Sequence, residues 1–357
     1  MTLDAIVVGG GAMGSAAAWQ LARRGADVAL LERFEPGHKH GASHGASRIF
    51  RFAYAQPDYI TLAREALDLW RELDPSLVEL TGGVDHGDRT SIEPIAAALA
   101  AAGVPGQWLP KEEATARWPG LRFTGPVFFH PSSGRVHADR AVAALQTAAS
   151  KLGADVRHET EVTAITVRGD DDVEVVTAGA TLRARRVVVA AGAWTSKLLP
   201  GLLPLRVTQE QPAHFTPLPG LSWPSFIHHD GGAGVYGLLT PGEGVKVGFH
   251  GNGPVVDPDV RDYAAEPVRA ERLRDYVRQW VPGVDPDRDV PISCTYTTTP
   301  TSDFVVDRHG PLVIAAGFSG HGFKFTPAIG RLLADLTTTG TPAIPRFALP
   351  LGQESRP

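Results

Sequence analysis

Three features of the sequence predict an α/β protein of two domains. The first 32 residues read as strand, glycine turn, helix and strand, the β-α-β unit of a Rossmann-type domain. Residues 204 to 255 read instead as short β runs broken by glycine, the pattern of an antiparallel sheet. A length of 357 residues, at about 150 per domain, leaves room for both. With 43% apolar and 20% charged residues, a disordered, collagen-like or coiled-coil chain is excluded.

The elements follow in order. Ala5 to Val8 is an apolar, β-favouring run that enters Gly9-Gly10-Gly11-Ala12-Met13-Gly14 directly. Ser15 to Arg24 is Ala-rich and free of breakers, so a short helix is expected there, stopped by Gly25. Val28 to Leu31 is the next strand and ends at Glu32. Pro57 to Asp74 opens with proline, carries Ile60, Ala63, Leu67 and Trp70 near helical spacing, and closes at Asp74-Pro75, which predicts an amphipathic helix. Further helices are expected over Ile92 to Ala102 and Arg140 to Leu152, with Pro/Gly-rich loop and strand between them. Val162 to Val167 and Val173 to Val176 predict a small sheet feeding into a buried parallel strand from Val187 to Gly192. Gly234 to Leu239 and Gly244 to Phe249 are strands of the antiparallel sheet, and Val268 to Trp280 is helical. The end of the chain reads as Phe304 to Asp307, a turn at His309-Gly310-Pro311, Leu312 to Ala316, a glycine-rich loop from Gly317 to Gly322, and a last helix near Ala328 to Leu336.

Charge and cysteine narrow the function classes. Lys plus Arg total 34 against 39 for Asp plus Glu, a net charge of -5, so no basic excess exists to neutralise a nucleic-acid backbone. Cys294 is the one cysteine, which rules out an internal disulfide and a cysteine-rich metal site and points to a reducing cytoplasm. The chain enters its first strand without a basic region and apolar stretch, so no secretion signal is expected. No membrane span is expected either, because the longest uncharged apolar run, Val187 to Trp194, is far short of the about 18 residues one needs.

Gly9, Gly11 and Gly14 form G-x-G-x-x-G between a strand and a helix N-terminus, where the pattern has a mechanism. The first glycine turns the chain, the second admits a pyrophosphate to the backbone, and the third lets helix and strand pack closely. Glu32 stands 18 residues past Gly14, where a carboxylate can accept from both ribose hydroxyls. A dinucleotide is therefore expected, without a choice between NAD and FAD. His228-His229-Asp230 is not expected to hold a metal, because adjacent strand residues face opposite ways.

Longer blocks make that choice. Gly41 to Tyr54, Val187 to Trp194 and Gly317 to Phe325 resemble the D-amino-acid-oxidase-like FAD superfamily. Within it, Ser43-His44-Gly45-Ala46-Ser47-Arg48-Ile49-Phe50-Arg51, Cys294-Thr295-Tyr296-Thr297 and Gly317-Phe318-Ser319-Gly320-His321-Gly322-Phe323-Lys324-Phe325 resemble the monomeric sarcosine oxidase and N-methyltryptophan oxidase family, in an order that spans Ile6 to Leu336. The resemblance implies FAD attached covalently through its 8α-methyl to Cys294; the plain alternative is a small buried thiol. It implies a cofactor lining of Gly9, Gly11, Ala12, Met13, Gly14, Glu32, Arg33, Ser43, Ser47, Arg48, Val162, Gly192, Trp194, Gly317, Ser319, Gly320, Gly322 and Lys324.

It also assigns roles. Arg48 would make one flavin face electropositive, and Arg51 with Lys324 would grip a substrate carboxylate, where otherwise two surface arginines would be the ordinary reading. Lys246, on the opposite sheet face from Val245 and Val247, would stabilise reduced oxygen over the flavin. His250 and Tyr236 match the active-site histidine and tyrosine of the family, and His44 a histidine beside the flavin. Ser43 stands where the family commonly has a second histidine and Ala46 where it has an acid, so the polarity of that loop has changed.

The implied architecture is an FAD domain at 1–82, 133–203 and 288–357 interrupted by a substrate domain at 83–132 and 204–287, whose antiparallel sheet roofs the flavin. The expected reaction is oxidation of a secondary or N-methyl amino acid to an imine, with oxygen reduced to hydrogen peroxide. Competing expectations are a bulkier amine (N-methyltryptophan, pipecolate or a fructosyl amino acid), a dehydrogenase with another acceptor, and a flavin-binding subunit without turnover. A small-molecule amine and oxygen are the expected partners of a cytoplasmic monomer.

Overall fold

The computed structural model describes residues 2–232, 234–341 and 344–350. Strand Leu3–Val8 lies inside an eight-stranded sheet, paired in parallel with Val28–Leu31 on one side and Thr181–Val189 on the other. Asp155–Arg157 extends the sheet beyond Val28–Leu31, and Leu312–Ala316 extends it beyond Val187 to Val189, both in parallel. The meander Val162–Gly169, Asp172–Thr177 and Thr181–Val189 supplies the antiparallel flank. Val7, Leu30, Val188 and Val313 pack on helices, while Ile6, Leu31, Val187 and Ile314 pack on the meander face, so the central strands are apolar on both sides.

The glycine turn behaves as expected and the helix behind it starts earlier, running Ala12–Ala22. Its first amide is capped by Ser43 Oγ at 2.9 Å, from 31 residues away, so no local residue marked the start. Gly9 has φ +104°, the left-handed region, and a Cβ on Gly14 would come 1.8 Å from Gly9 O, which forbids any side chain there. Helix Pro57–Leu73 fixes the far end of the molecule: fully buried Trp70 donates to Lys324 O at 3.0 Å and so pins the turn that precedes helix Thr326–Thr338.

The second sheet has the order Val284–Pro291, Ala213–Pro217, Gly244–Phe249, Val235–Thr240, Ser225–His229, Gly83–Gly87, Val127–His130 and Gln107–Leu109. It departs from a purely antiparallel sheet in one place. Ser225–His229 pairs with Gly83–Gly87 in parallel, because the connection between them is the long excursion through the first sheet. The strand Arg206–Glu210 also leaves this sheet and pairs with Cys294–Thr298. Glu210 explains the departure: its buried carboxylate accepts from Thr208 Oγ1 and from the Asn252 and Gly253 amides, a set of partners the eight-stranded sheet does not offer. Helix Pro267–Trp280 covers one face with Leu273, Tyr276 and Val277 over Val245 and Val247. The opposite face carries Lys246, with His214 and Leu238 as its cross-strand neighbours. That face is the roof of the site.

Candidate active site

Two adjoining cavities lie between the sheets, of about 420 and 880 Å³, and Arg48, Cys294, Tyr296, Gly320 and Phe323 line both. The smaller is lined by Gly9, Gly11, Ala12, Met13, Glu32, Arg33, Ser43, Arg48, Val162, Gly192, Trp194, Cys294, Gly317, Ser319, Gly320 and Gly322 of the expected cofactor set. Three of that set stand elsewhere. Gly14 lies behind the turn, where its role is close packing; Ser47 is 1% exposed beneath the loop; Lys324 lines the larger cavity.

The cleft fits a dinucleotide on its own chemistry. The helix Ala12–Ala22 has no acidic residue in its first turn, and apart from Ala12 N, which Ser43 Oγ caps, its first amides and its dipole are left for the cavity. Glu32 Oε1 accepts from Phe34 N at 3.0 Å with His38 Nε2 at 3.4 Å, while Oε2 accepts from Gly10 N at 2.6 Å and keeps a lone pair for a ribose hydroxyl. Burial alone would raise its pKa, but bonds to His38, Phe34 and Gly10 hold it below the usual range. Further out, Asp259 accepts from Arg33 and Trp194 at 2.7 Å each and pairs with Lys197, fastening the irregular 250–266 segment to the cavity rim. Nothing local in the sequence pointed to Asp259.

Where the cavities meet, charge accumulates. Arg48 donates to Ser47 O and Ala42 O at 2.9 Å and to His44 O, so it ties the 42–48 loop together. Lys246 Nζ donates to the same Ser47 O at 3.2 Å. Burial first, and the Arg48 charge second, bring the Lys246 pKa down from 10.5 to about 7. Burial together with Arg48 and Lys246 lowers His44 to about 3, so its imidazole is neutral, and its Nε2 is buried without a protein partner among the described residues. Cys294 Sγ stands at this junction, on a strand whose register pairs Cys294 with the anchored Glu210.

The larger cavity collects the residues expected to meet substrate. Arg51 and Lys324 flank Tyr54, their charges 5.1 and 5.3 Å from its ring centre, and Lys324 Nζ donates to Tyr54 OH at 2.8 Å and to His321 O. Burial and Arg51 push the Lys324 pKa well down. His250 faces Tyr296 at 5.3 Å between ring centres; burial, Arg51 and Lys324 lower its pKa to about 4. Tyr236 lines the same cavity, its hydroxyl pKa raised by burial.

Sequence reasoning missed Tyr54, His214, His321 and above all Asp85. Asp85 is fully buried and accepts from His229 and His130, both at 2.7 Å, with Arg51 at 3.4 Å. Burial would raise its pKa, but the two imidazoles and Arg51 outweigh that and hold it well below the carboxylate range. The adjacent histidines do face opposite ways: His228 bonds Tyr276 OH at 2.8 Å and stacks on His86, while His229 turns to Asp85. Among the described residues no cluster of three or more His, Cys, Asp or Glu is arranged to hold a metal ion. No described helix is long and apolar enough to cross a membrane.

Comparison with known proteins agrees with this geometry. Residues 4–336 match the family model described as FAD dependent oxidoreductase, DAO. The chain is 33% identical over 361 residues to monomeric sarcosine oxidase of Bacillus sp. (strain NS-129), covering 94% of this chain and 93% of that one. It is 34% identical to the peroxisomal sarcosine oxidase of Homo sapiens over 95% of this chain and 93% of the relative. N-methyl-L-tryptophan oxidase of Citrobacter koseri is 29% identical, with 96% of both chains covered. Among solved structures NikD, an unusual amino acid oxidase essential for nikkomycin biosynthesis, superposes with a TM-score of 0.85 at 30% identity, over 98% of this chain and 97% of its own. With a glycine turn, an anchored Glu32 and a cationic second cavity in one continuous cleft, the chain belongs to the DAO family of FAD-dependent oxidoreductases that act on the CH–NH bond of amines.

Proposed function

We propose that the protein oxidises a secondary or N-methyl amino acid of the sarcosine type to an imine, which water hydrolyses to an amine and an aldehyde, with oxygen reduced to hydrogen peroxide. The observation that carries this reading is the pair of basic side chains around Tyr54: Arg51 and Lys324 line a cavity that adjoins the dinucleotide cleft at Cys294, and a bound carboxylate would restore the ammonium form that burial and Arg51 disfavour. A guanidinium and an ammonium donor gathered in one site recognise a carboxylate, which selects an amino acid over a simple amine. FAD in the cleft supplies the two-electron chemistry.

The chain's own residues do the rest. Arg51 and Lys324 fix the carboxylate, so the C–N bond is held in the cavity rather than sampled by collision. His250 and Tyr236 line the space between those cations and the junction and bound the amine, with His250 uncharged because of its lowered pKa. Arg48 and Lys246, both tied to Ser47 O, set a positive field at the junction, and Lys246 stabilises the anion formed as oxygen takes electrons. Neutral His44 packs beside them without adding charge. Cys294, at the junction of the two cavities, would hold the flavin covalently. The eight-stranded second sheet is assigned as the substrate domain, with its boundary moved past Val284–Pro291, since a division at 287/288 would cut that strand. The protein acts as a monomer.

The test is the visible spectrum of the purified protein under argon with sarcosine, N-methyltryptophan, pipecolate, a fructosyl amino acid and proline in turn, followed by air. Bleaching by an N-methyl or cyclic amino acid, reversed by air with release of peroxide, is the expected result. Bleaching that air leaves unreversed would replace the oxidase by a dehydrogenase, and no bleaching would overturn the amine substrate.

A further inference from the structure

The cavity roof holds an acid–imidazole pair that the reaction above leaves unused. On strand Gly83–Gly87, Val84 packs into the sheet core and Asp85 points the other way, toward the cavity face. One carboxylate oxygen, Oδ1, accepts from His229 Nε2 at 2.7 Å and meets Arg51 Nη1 at 3.4 Å; the other, Oδ2, accepts from His130 Nε2 at 2.7 Å. Ser133 Oγ bonds His130 Nδ1. The two contacts hold the His130 ring between Asp85 and Ser133, and Arg51 stands against the same carboxylate. The same carboxylate orients His229. Its Nε2–H is committed to Asp85, and Nδ1 has no hydrogen-bond partner among the described residues although the residue lines the larger cavity.

Resting on the amine-oxidation reading, we propose that His229 is a specificity-determining residue, oriented by Asp85, whose Nδ1 accepts a hydrogen bond from a donor on the substrate's α-side chain. The location follows from the shared oxygen: His229 and Arg51 meet on Asp85 Oδ1, so the acceptor stands at the carboxylate end of the substrate and away from its N-methyl group. Sarcosine has only hydrogen at that carbon and leaves Nδ1 to water. An N-methyl amino acid whose side chain carries a hydroxyl or amide N–H completes the bond. Sites built to bond a donor discriminate against the analogue that lacks it far more sharply than apolar pockets discriminate by size.

The experiment compares N-methylserine with N-methylalanine, each enantiomer separately, by kcat/KM and by anaerobic flavin reduction of the holoprotein. The wild type is expected to prefer the accepted enantiomer of N-methylserine by about tenfold or more. In His229→Leu the ratio is expected to fall to about one, and His229→Gln, which keeps an acceptor oxygen, to restore part of it. A wild-type ratio of one, or the same ratio in His229→Leu, overturns the assignment while the amine-oxidation reading stands. An Asp85→Asn ratio equal to wild type removes Asp85 as the positioning residue. If neither an N-methyl nor a cyclic amino acid reduces the flavin, it is the amine-oxidation reading that fails.

Discussion

Replacing Lys246 by methionine tests two consequences of one buried charge. The lysine is 6% exposed, and burial with Arg48 nearby takes its pKa from 10.5 to about 7. That displacement corresponds to about 5 kcal/mol against the ammonium form, of which about 4 kcal/mol is still felt at pH 7, where the folded lysine is half protonated. The sign follows from proton counting. Between about pH 7 and 10.5 the unfolded chain binds more protons than the folded one, so the lysine's penalty is complete below that window and fades as pH rises through it. Lys246→Met removes the penalty. Urea denaturation of the two holoproteins should show the variant more stable at pH 6 to 7, with the gap closing by about pH 10. Stopped-flow kinetics read the other consequence: reoxidation by oxygen should slow by about 10²-fold or more while anaerobic reduction changes far less. Wild-type reoxidation should itself fall as pH rises through about 7, as the ammonium is lost. An equal loss in both half-reactions, or a stability gap that is flat with pH, refutes the reasoning.

Three other perturbations report on separate parts of the site. Acid precipitation of the wild type should keep yellow flavin in the pellet, whereas Cys294→Ala should release it to the supernatant; flavin released from the wild type would disprove the thioether. Arg51→Ala and Lys324→Met should each raise KM for carboxylate substrates by about 10- to 100-fold, from loss of a charge-assisted bond worth about 1.5 to 3 kcal/mol. Titration with N-methylamines lacking the carboxylate should show no such difference between wild type and variant. Asp259→Ala removes the bonds that Arg33, Trp194 and Lys197 make to that carboxylate, while Arg33 keeps Glu161 and Lys197 keeps Asp257. In a Cys294→Ala background it should speed FAD dissociation, and an unchanged dissociation rate would show that the Asp259 tie does not hold the cofactor.

Legibility in the sequence followed the range of the interaction. The β-α-β unit from Leu3 to Leu31 was readable because its apolar runs and glycines encode it within one stretch. The helix start at Ala12 was not, since its cap comes from Ser43. Arg48, Arg51, Lys246, His250 and Lys324 were picked out by resemblance, and the fold gathers all five around one pair of cavities. Asp85 escaped because its meaning lies in Arg51, His130 and His229, far away in the chain, and an aspartate on a short strand carries no periodic signal. His228-His229 drew notice as a metal-like pair, yet the partners that define each ring, Tyr276 and Asp85, lie far along the chain in opposite directions. Residues 204 to 255 read as one antiparallel sheet, whereas Arg206–Glu210 pairs with Cys294–Thr298 and Glu210 is held by tertiary bonds to the 252–253 backbone.

The single parallel pairing in the second sheet constrains how the chain can acquire its shape. Gly83–Gly87 emerges early in synthesis with Val127–His130 as its antiparallel neighbour and Gln107–Leu109 beyond that, but its other edge waits for Ser225–His229. Until then the three-stranded fragment presents a row of unpaired amides and carbonyls, and closing it joins residues with high sequence separation, a slow step. Asp85 sits on that waiting strand, so the buried carboxylate of the roof gains its His229 bond only when the sheet closes. A nascent or truncated chain ending between His130 and Ser225 therefore exposes an adhesive edge, and the longer its synthesis pauses there, the more of it will be lost to aggregation.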